Sequence, residues 1–205
     1  MTASLFDQVV IDFGSGVTFF PFAVAKLGYR VICADIDPVC ERDITAASRH
    51  LPVAPGSVEF RLISDHLPTF RDGEADIIYC ISVLEHIPDF EKTVDELCRI
   101  LKKGGILILT IDLNLKNDSE LGVAGFKRLQ DMLSVHFDRR WPEKTIHPAD
   151  VLFSNTGPYP VGGPRGIKLA KHVLKHYLVK PLLGQKPSPF FLNHLAVCGL
   201  ILEKR

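Results

Sequence analysis

Val9-Val10-Ile11-Asp12-Phe13-Gly14-Ser15-Gly16 is a β-branched run ending in acid-x-Gly-x-Gly, the pattern by which a buried parallel strand hands over to a nucleotide-binding turn. Two glycines one apart let the chain turn sharply and approach a ligand more closely than a Cβ permits, while the following helix aims free N–H groups at that ligand. Downstream, Arg30-Val31-Ile32-Cys33-Ala34-Asp35 is a second apolar strand that ends in a carboxylate, nineteen positions after Gly16, where a ribose presents its two hydroxyls. A dinucleotide loop wants a third small residue three positions after its second glycine. Phe19 stands there, which counts against NAD or FAD.

Outward from this pair, apolar runs alternate with helical patterns, so the chain is predicted to be α/β, a doubly wound and mostly parallel sheet covered on both faces. Strands are expected near 9–13, 30–35, 58–62, 75–81 and 105–112, with helices near 18–28, 38–49 and 89–101. Asp89 is positioned to cap the last of these, and Val94, Leu97, Cys98 and Leu101 fall at helical spacing along it. Leu195–Leu202 reads as a further buried strand. Between 113 and 194 the pattern loosens. Gly122–His136 looks helical, with Phe126, Leu129, Met132, Leu133 and Phe137 along one side; Asn155–Gly166 is rich in Pro and Gly; and Ile167–Val179 looks like an amphipathic helix bounded by Gly166 and Pro181. The 205 residues are read as one domain, in which 113–194 forms an elaborated acceptor or lid region.

The balanced net charge conceals an asymmetry. Residues 1–150 carry 16 Lys and Arg against 23 Asp and Glu, whereas Val151–Leu202 holds no acid and six basic residues, Arg165, Lys168, Lys171, Lys175, Lys180 and Lys186. A basic end on an acidic body marks a face for anions. Five cysteines without a C-x-x-C pair read as reduced residues, and neither a leader-like apolar run nor a membrane span is visible, so a cytoplasmic protein is expected.

The loop at 12–16, with Thr18 where a third glycine would stand, resembles the first motif of the class I S-adenosylmethionine-dependent methyltransferases of type 11 and 12. Asp76–Ile87 resembles their fourth strand with its loop, and Leu101-Lys102-Lys103-Gly104-Gly105 and the run after it resemble their turn into the fifth strand. Together these motifs span roughly 9–112. The resemblance implies S-adenosyl-L-methionine as cofactor, S-adenosyl-L-homocysteine as product, no metal, and an antiparallel last strand. It places Gly14, Ser15 and Gly16 at the methionine part of the cofactor with Asp12 bracing that loop, Asp35 on the ribose hydroxyls, Ile36 against the adenine and Asp65 on its amino group. Asp37 competes with Asp35, which the strand-end position favours. Only eight residues precede Val9, where this family carries helices, so a truncated cap is expected.

Cys80, Ile81 and Ser82 stand at the carboxyl end of the fourth strand, where ligands of open α/β sheets gather, and are expected to line the methionine end. His86 has the pKa to take a proton from an attacking hydroxyl, and is the candidate general base; the alternative is that Glu85 and His86 brace the loop. His172 and His176 are four apart but are too few for a zinc site, and Trp141 reads as either part of an acceptor pocket or a hydrophobic plug. The expected activity is methylation of a small or carrier-linked acceptor, with oxygen the favoured atom. A sugar or glycan precursor is suggested by Asp112-Leu113-Asn114 and Asp118-Ser119-Glu120, which resemble methyltransferases encoded with glycan and surface-polysaccharide synthesis. The rival readings are a non-catalytic scaffold of the same fold and an RNA methyltransferase, the latter disfavoured by the near-neutral pI. An anionic acceptor, peripheral membrane contact through 165–186 and homo-oligomerisation are the partner expectations.

Overall fold

The computed structural model describes residues 8–64, 69–114, 121–141, 147, 151, 153, 166–184 and 195–205. Within them β1 (Val9–Phe13), β2 (Arg30–Asp35), β3 (Val58–Leu62), β4 (Ala75–Ile81), β5 (Leu101–Asn114), β6 (Phe137–Arg139) and β7 (Leu195–Lys204) form one sheet, in the order β3-β2-β1-β4-β5-β7-β6. The first five strands are parallel, and β7 is antiparallel to both β5 and β6. The sheet is thus doubly wound about β1, as expected. The strand order reverses at β1, with β2 and β3 laid down on one side of it and β4 and β5 on the other, and such a switch point opens a crevice at the carboxyl ends of the strands.

Strand alternation explains how both faces are covered. Successive side chains point to opposite faces. Val10, Val31, Cys33 and Tyr79 therefore pack with Phe22 and Ala25 of α1 (Phe20–Lys26) and Ile44 of α2 (Pro38–His50). Ile11, Ile32, Ile78, Cys80, Leu107 and Leu109 pack on the other side with Val94, Leu97 and Ile100 of α3 (Phe90–Ile100) and with Leu129 and Leu133 of α4 (Val123–His136). Burial on both faces is why these strands read as continuous apolar runs rather than alternating ones.

Three details depart from expectation. β5 begins at Leu101 rather than near 105, because Leu101 already pairs with Ala75 before the chain pinches at Gly104 and Gly105. At Gly105 a Cβ would lie 2.8 Å from the Lys102 carbonyl and 3.1 Å from that of Asp76, so the pinch admits no side chain. Phe137 does not extend the apolar side of α4; it is buried in β6, a three-residue edge strand too short to show periodicity. Asp89 occupies the N-cap position of α3 but makes no capping bond, and its carboxylate instead pairs with Lys92 at 2.6 Å.

Candidate active site

The loop after β1 is held from below by β2. Gly14 and Ser15 N–H groups both donate to the Ala34 carbonyl, at 2.8 and 3.1 Å, and the Gly16 N–H donates to Asp35 Oδ2 at 2.8 Å. The two glycines are required for different reasons. Gly14 has φ +73° and a Cβ there would strike Val83 Cγ2 at 2.5 Å, so the loop after β4 closes onto it. Gly16, at φ +51°, has no atom within 4 Å of where its Cβ would stand, which leaves an open approach to the backbone. Ser15 is buried, with its hydroxyl turned back to the Gly16 carbonyl at 3.3 Å.

Asp35 and Asp37 separate clearly. Asp37 caps α2, its Oδ1 accepting from the Val39 N–H at 2.9 Å, the geometry of a helix start. Asp35 receives the Gly16 N–H on one oxygen and the Asp37 N–H on the other, at 3.0 Å, and an ionised carboxylate has about four acceptor positions, so each oxygen retains capacity. Ile36, next to it, is 76% exposed, an apolar surface beside a carboxylate.

Asp12 makes none of the bonds that hold the loop, although it was expected to brace it. It is 5% exposed on the α1/α2 face, and burial pushes its carboxyl up to about 7, with the Tyr79 hydroxyl acting in the opposite sense and the Asp35 charge adding to the rise. The Tyr79 hydroxyl is buried and makes no hydrogen bond of normal geometry among the described residues. Bracing falls to Asp35, because its side chain reaches the loop backbone from the neighbouring strand end.

At the end of β4 the three expected residues have different fates. The Cys80 side chain is fully buried in the core beneath α3 and α4, so it cannot line an accessible site, and burial raises its thiol pKa. Ile81 is 44% exposed. Ser82 has φ +53° and is the one non-glycine residue at positive φ among the described residues. Such a conformation is costly for a side-chain-bearing residue, and it concentrates at functional sites. The Ser82 N–H donates to the Thr110 carbonyl at 3.0 Å and to its hydroxyl at 3.1 Å, and the Ser82 hydroxyl donates to Asp112 Oδ1 at 3.2 Å.

Glu85 completes this cluster. Its Oε1 accepts the Asp112 N–H at 2.8 Å, tying the turn Leu84–His86 to β5, while Oε2 is buried with no partner among the described residues. Burial raises its pKa, and the backbone N–H groups of Glu85 and Asp112 oppose the rise. The loop-bracing role thus belongs to Glu85. His86 is exposed at the end of the turn, its backbone N–H bonded to the Val83 carbonyl at 3.0 Å. The Ser82–Thr110–Asp112–Glu85 cluster went unnoticed in the sequence, where its members lie up to 30 positions apart. The available signal was topological: β4 and β5 are neighbours, so their carboxyl-terminal polar residues must meet. Asp65 lies outside the described residues. Trp141 is 69% exposed, so it is not a buried plug, and no group of three or more metal-binding side chains occurs among the described residues.

Residues 11–109 match the protein family described as methyltransferase domain. The ubiquinone biosynthesis O-methyltransferase of Thiobacillus denitrificans is 31% identical over 117 residues, which cover 56% of this chain and 49% of that protein. The corresponding enzyme of Nitrosomonas europaea is 29% identical over 115 residues, covering 55% and 48%. The chain therefore spans about half the length of these curated relatives. Among solved structures, the YcgJ protein from Bacillus subtilis shares the fold at a TM-score of 0.63 and 16% identity, covering 99% of this chain and 94% of that one. The cyclase SpnF shares it at 0.64 and 12% identity, covering 96% and 74%. The match over residues 11–109 and the curated relatives support a methyltransferase domain in this chain, and the solved structures share its fold.

Proposed function

We propose that this chain binds S-adenosylmethionine across the carboxyl ends of β1, β2 and β4 and methylates an oxygen of a small or carrier-linked acceptor. The observation that carries the reading is the pairing of an open backbone approach at Gly16 with the Asp35 carboxylate, which is already bonded to that glycine and still has acceptor capacity. Oxygen is favoured because the curated relatives are named as O-methyltransferases. A sugar or glycan precursor is an acceptor compatible with this reading.

In this assignment the loop Gly14–Gly16 meets the methionine part, Asp35 takes the ribose hydroxyls and Ile36 packs against the adenine. Ile81 and Ser82 face the sulfonium end, and Cys80 contributes backbone only. The cofactor supplies an electrophilic methyl group. The protein's part in such an in-line displacement is to hold the acceptor oxygen behind that methyl and to keep water out. In this reading His86, exposed beside the cluster, takes the role of removing the acceptor's proton, and Glu85 positions the turn that carries it.

The fold alone does not compel a methyl transfer, since the cyclase SpnF shares it, and a reaction has to be argued from a site. Calorimetry with S-adenosylhomocysteine is the direct test. The wild type is expected to bind, and Asp35→Ala to weaken binding by ~1.5–3 kcal/mol, the scale of hydrogen bonds to a charged group. A wild type that fails to bind, or a folded Asp35→Ala that binds equally well, refutes the assignment.

A further inference from the structure

The helical run at 167–182 has the outward character of a helix with its packing partner missing. It comprises α5 (Ile167–Val173), a π-helical stretch Leu174–Val179 and α6 (Lys180–Leu182), which continue directly into one another. Every amphipathic helix around the sheet buries its apolar side; in α3, Val94, Leu97 and Ile100 are each 0% exposed. Here Ile167 is 76% exposed, Leu174 55%, Leu178 55% and Leu182 82%. Apolar side chains at this density are rarely left in water by a soluble domain unless they are a contact surface.

Charge narrows what the contact is. From Val151 to Leu202 there is no acidic residue, and Lys171 and Lys175 are four apart, so they share one side of the helix, next to the apolar stripe. A second copy of the same helix would bring lysines against lysines, with no acid on either to answer them. A nucleic acid would engage the lysines and leave the leucines in water. An anionic bilayer surface satisfies both: phosphate-bearing headgroups meet the lysines while the leucines enter the acyl boundary, with the helix lying in the interface plane. No helix among the described residues is long and apolar enough to cross a membrane, so the contact is of a surface kind.

We propose that Ile167–Leu182 is an interfacial helix that docks the protein on anionic lipid, inserting Ile167, Leu174 and Leu178 and pairing Lys171 and Lys175 with headgroups. The inference is independent of the cofactor assignment. It is tested by sedimentation of the full chain with vesicles of phosphatidylcholine alone and of phosphatidylcholine with phosphatidylglycerol. Binding is expected to the anionic vesicles and to fall at least about tenfold on the neutral ones or in high salt. Leu174→Glu/Leu178→Glu and Lys171→Glu/Lys175→Glu are each expected to lower partitioning by about tenfold or more with an unchanged melting temperature. Lys127→Glu, at a 74% exposed lysine of α4, is the control and is expected to change it little.

Equal binding to both vesicles, no binding to either, or an unaffected leucine pair overturns the proposal. So does wild-type self-association in ultracentrifugation that the leucine pair abolishes, which assigns the stripe to a second copy. Salt-sensitive binding of RNA in place of anionic vesicles likewise overturns it. Because the substituted side chains are exposed, the lysine pair keeps the test decisive even if the leucine variant aggregates.

Discussion

In β5, Leu107 is 0% exposed between the sheet and α3; in the basic helical run, Leu178 is 55% exposed. The first belongs to a region where every apolar side chain answers to a neighbour in the same chain. The second belongs to one whose apolar stripe is met by nothing equivalent among the described residues. The same residue type therefore carries folding information in one place and contact information in the other. Periodicity is visible in both, because a pattern records which residues share a face but not what lies against it.

The contrast is sharpest in the energetics of the two leucines. Leu107→Ala is expected to destabilise the fold by ~2–5 kcal/mol, the cost of a cavity in a well-packed core, read as a lowered urea midpoint. A change below about 1 kcal/mol would mean that the core around β5 is looser than its burial indicates.

Asp12 probes the same core with charge. Its folded-state pKa of about 7 lies above the ordinary carboxylate value of 3.8, so as pH rises the unfolded chain releases the proton first. Folded stability is thus expected to fall between about pH 4 and pH 7 and to level off above. Asp12→Asn has no such proton. It should exceed the wild type by ~2–4 kcal/mol at pH 8 in the absence of cofactor, with the gap closing toward pH 4. Parallel stability profiles for the two proteins would show that another group sets the pH dependence.

Asp37 lies at the rim of the candidate site, and its function there is structural. Asp37→Ala is expected to cost ~1 kcal/mol by removing the cap of α2, with S-adenosylhomocysteine affinity nearly retained. A large loss of affinity with little loss of stability would transfer the ribose role from Asp35 to Asp37. The smallest effect is reserved for the exposed helix: Leu178→Ala is expected to change stability by less than about 0.5 kcal/mol. A loss comparable to that of Leu107→Ala would show that the stripe packs within the chain and would remove the basis for lipid docking.

The amino acid order was enough to determine the doubly wound sheet, the positions of β1 to β4 almost to the residue, the loop at Gly14–Gly16 and a final buried strand from Leu195. Those features follow from local rules: runs buried on both faces, glycine where φ is positive, and a carboxylate at a strand end. Contacts across the sheet were decided only by tertiary structure. Cys80 turns into the core because alternation carries it beneath α3 and α4, whereas Ile81, one position on, is exposed. Asp35 braces Gly16 while Asp37 caps a helix, a division between two carboxylates two positions apart that depends on which backbone N–H each reaches. Glu85 meets Asp112 across 27 positions because β4 and β5 are neighbours, and the stripe of Ile167–Leu182 is left exposed because no described strand or helix covers it. Spacing along a chain sets which way a side chain points, and only the folded neighbours set what it meets.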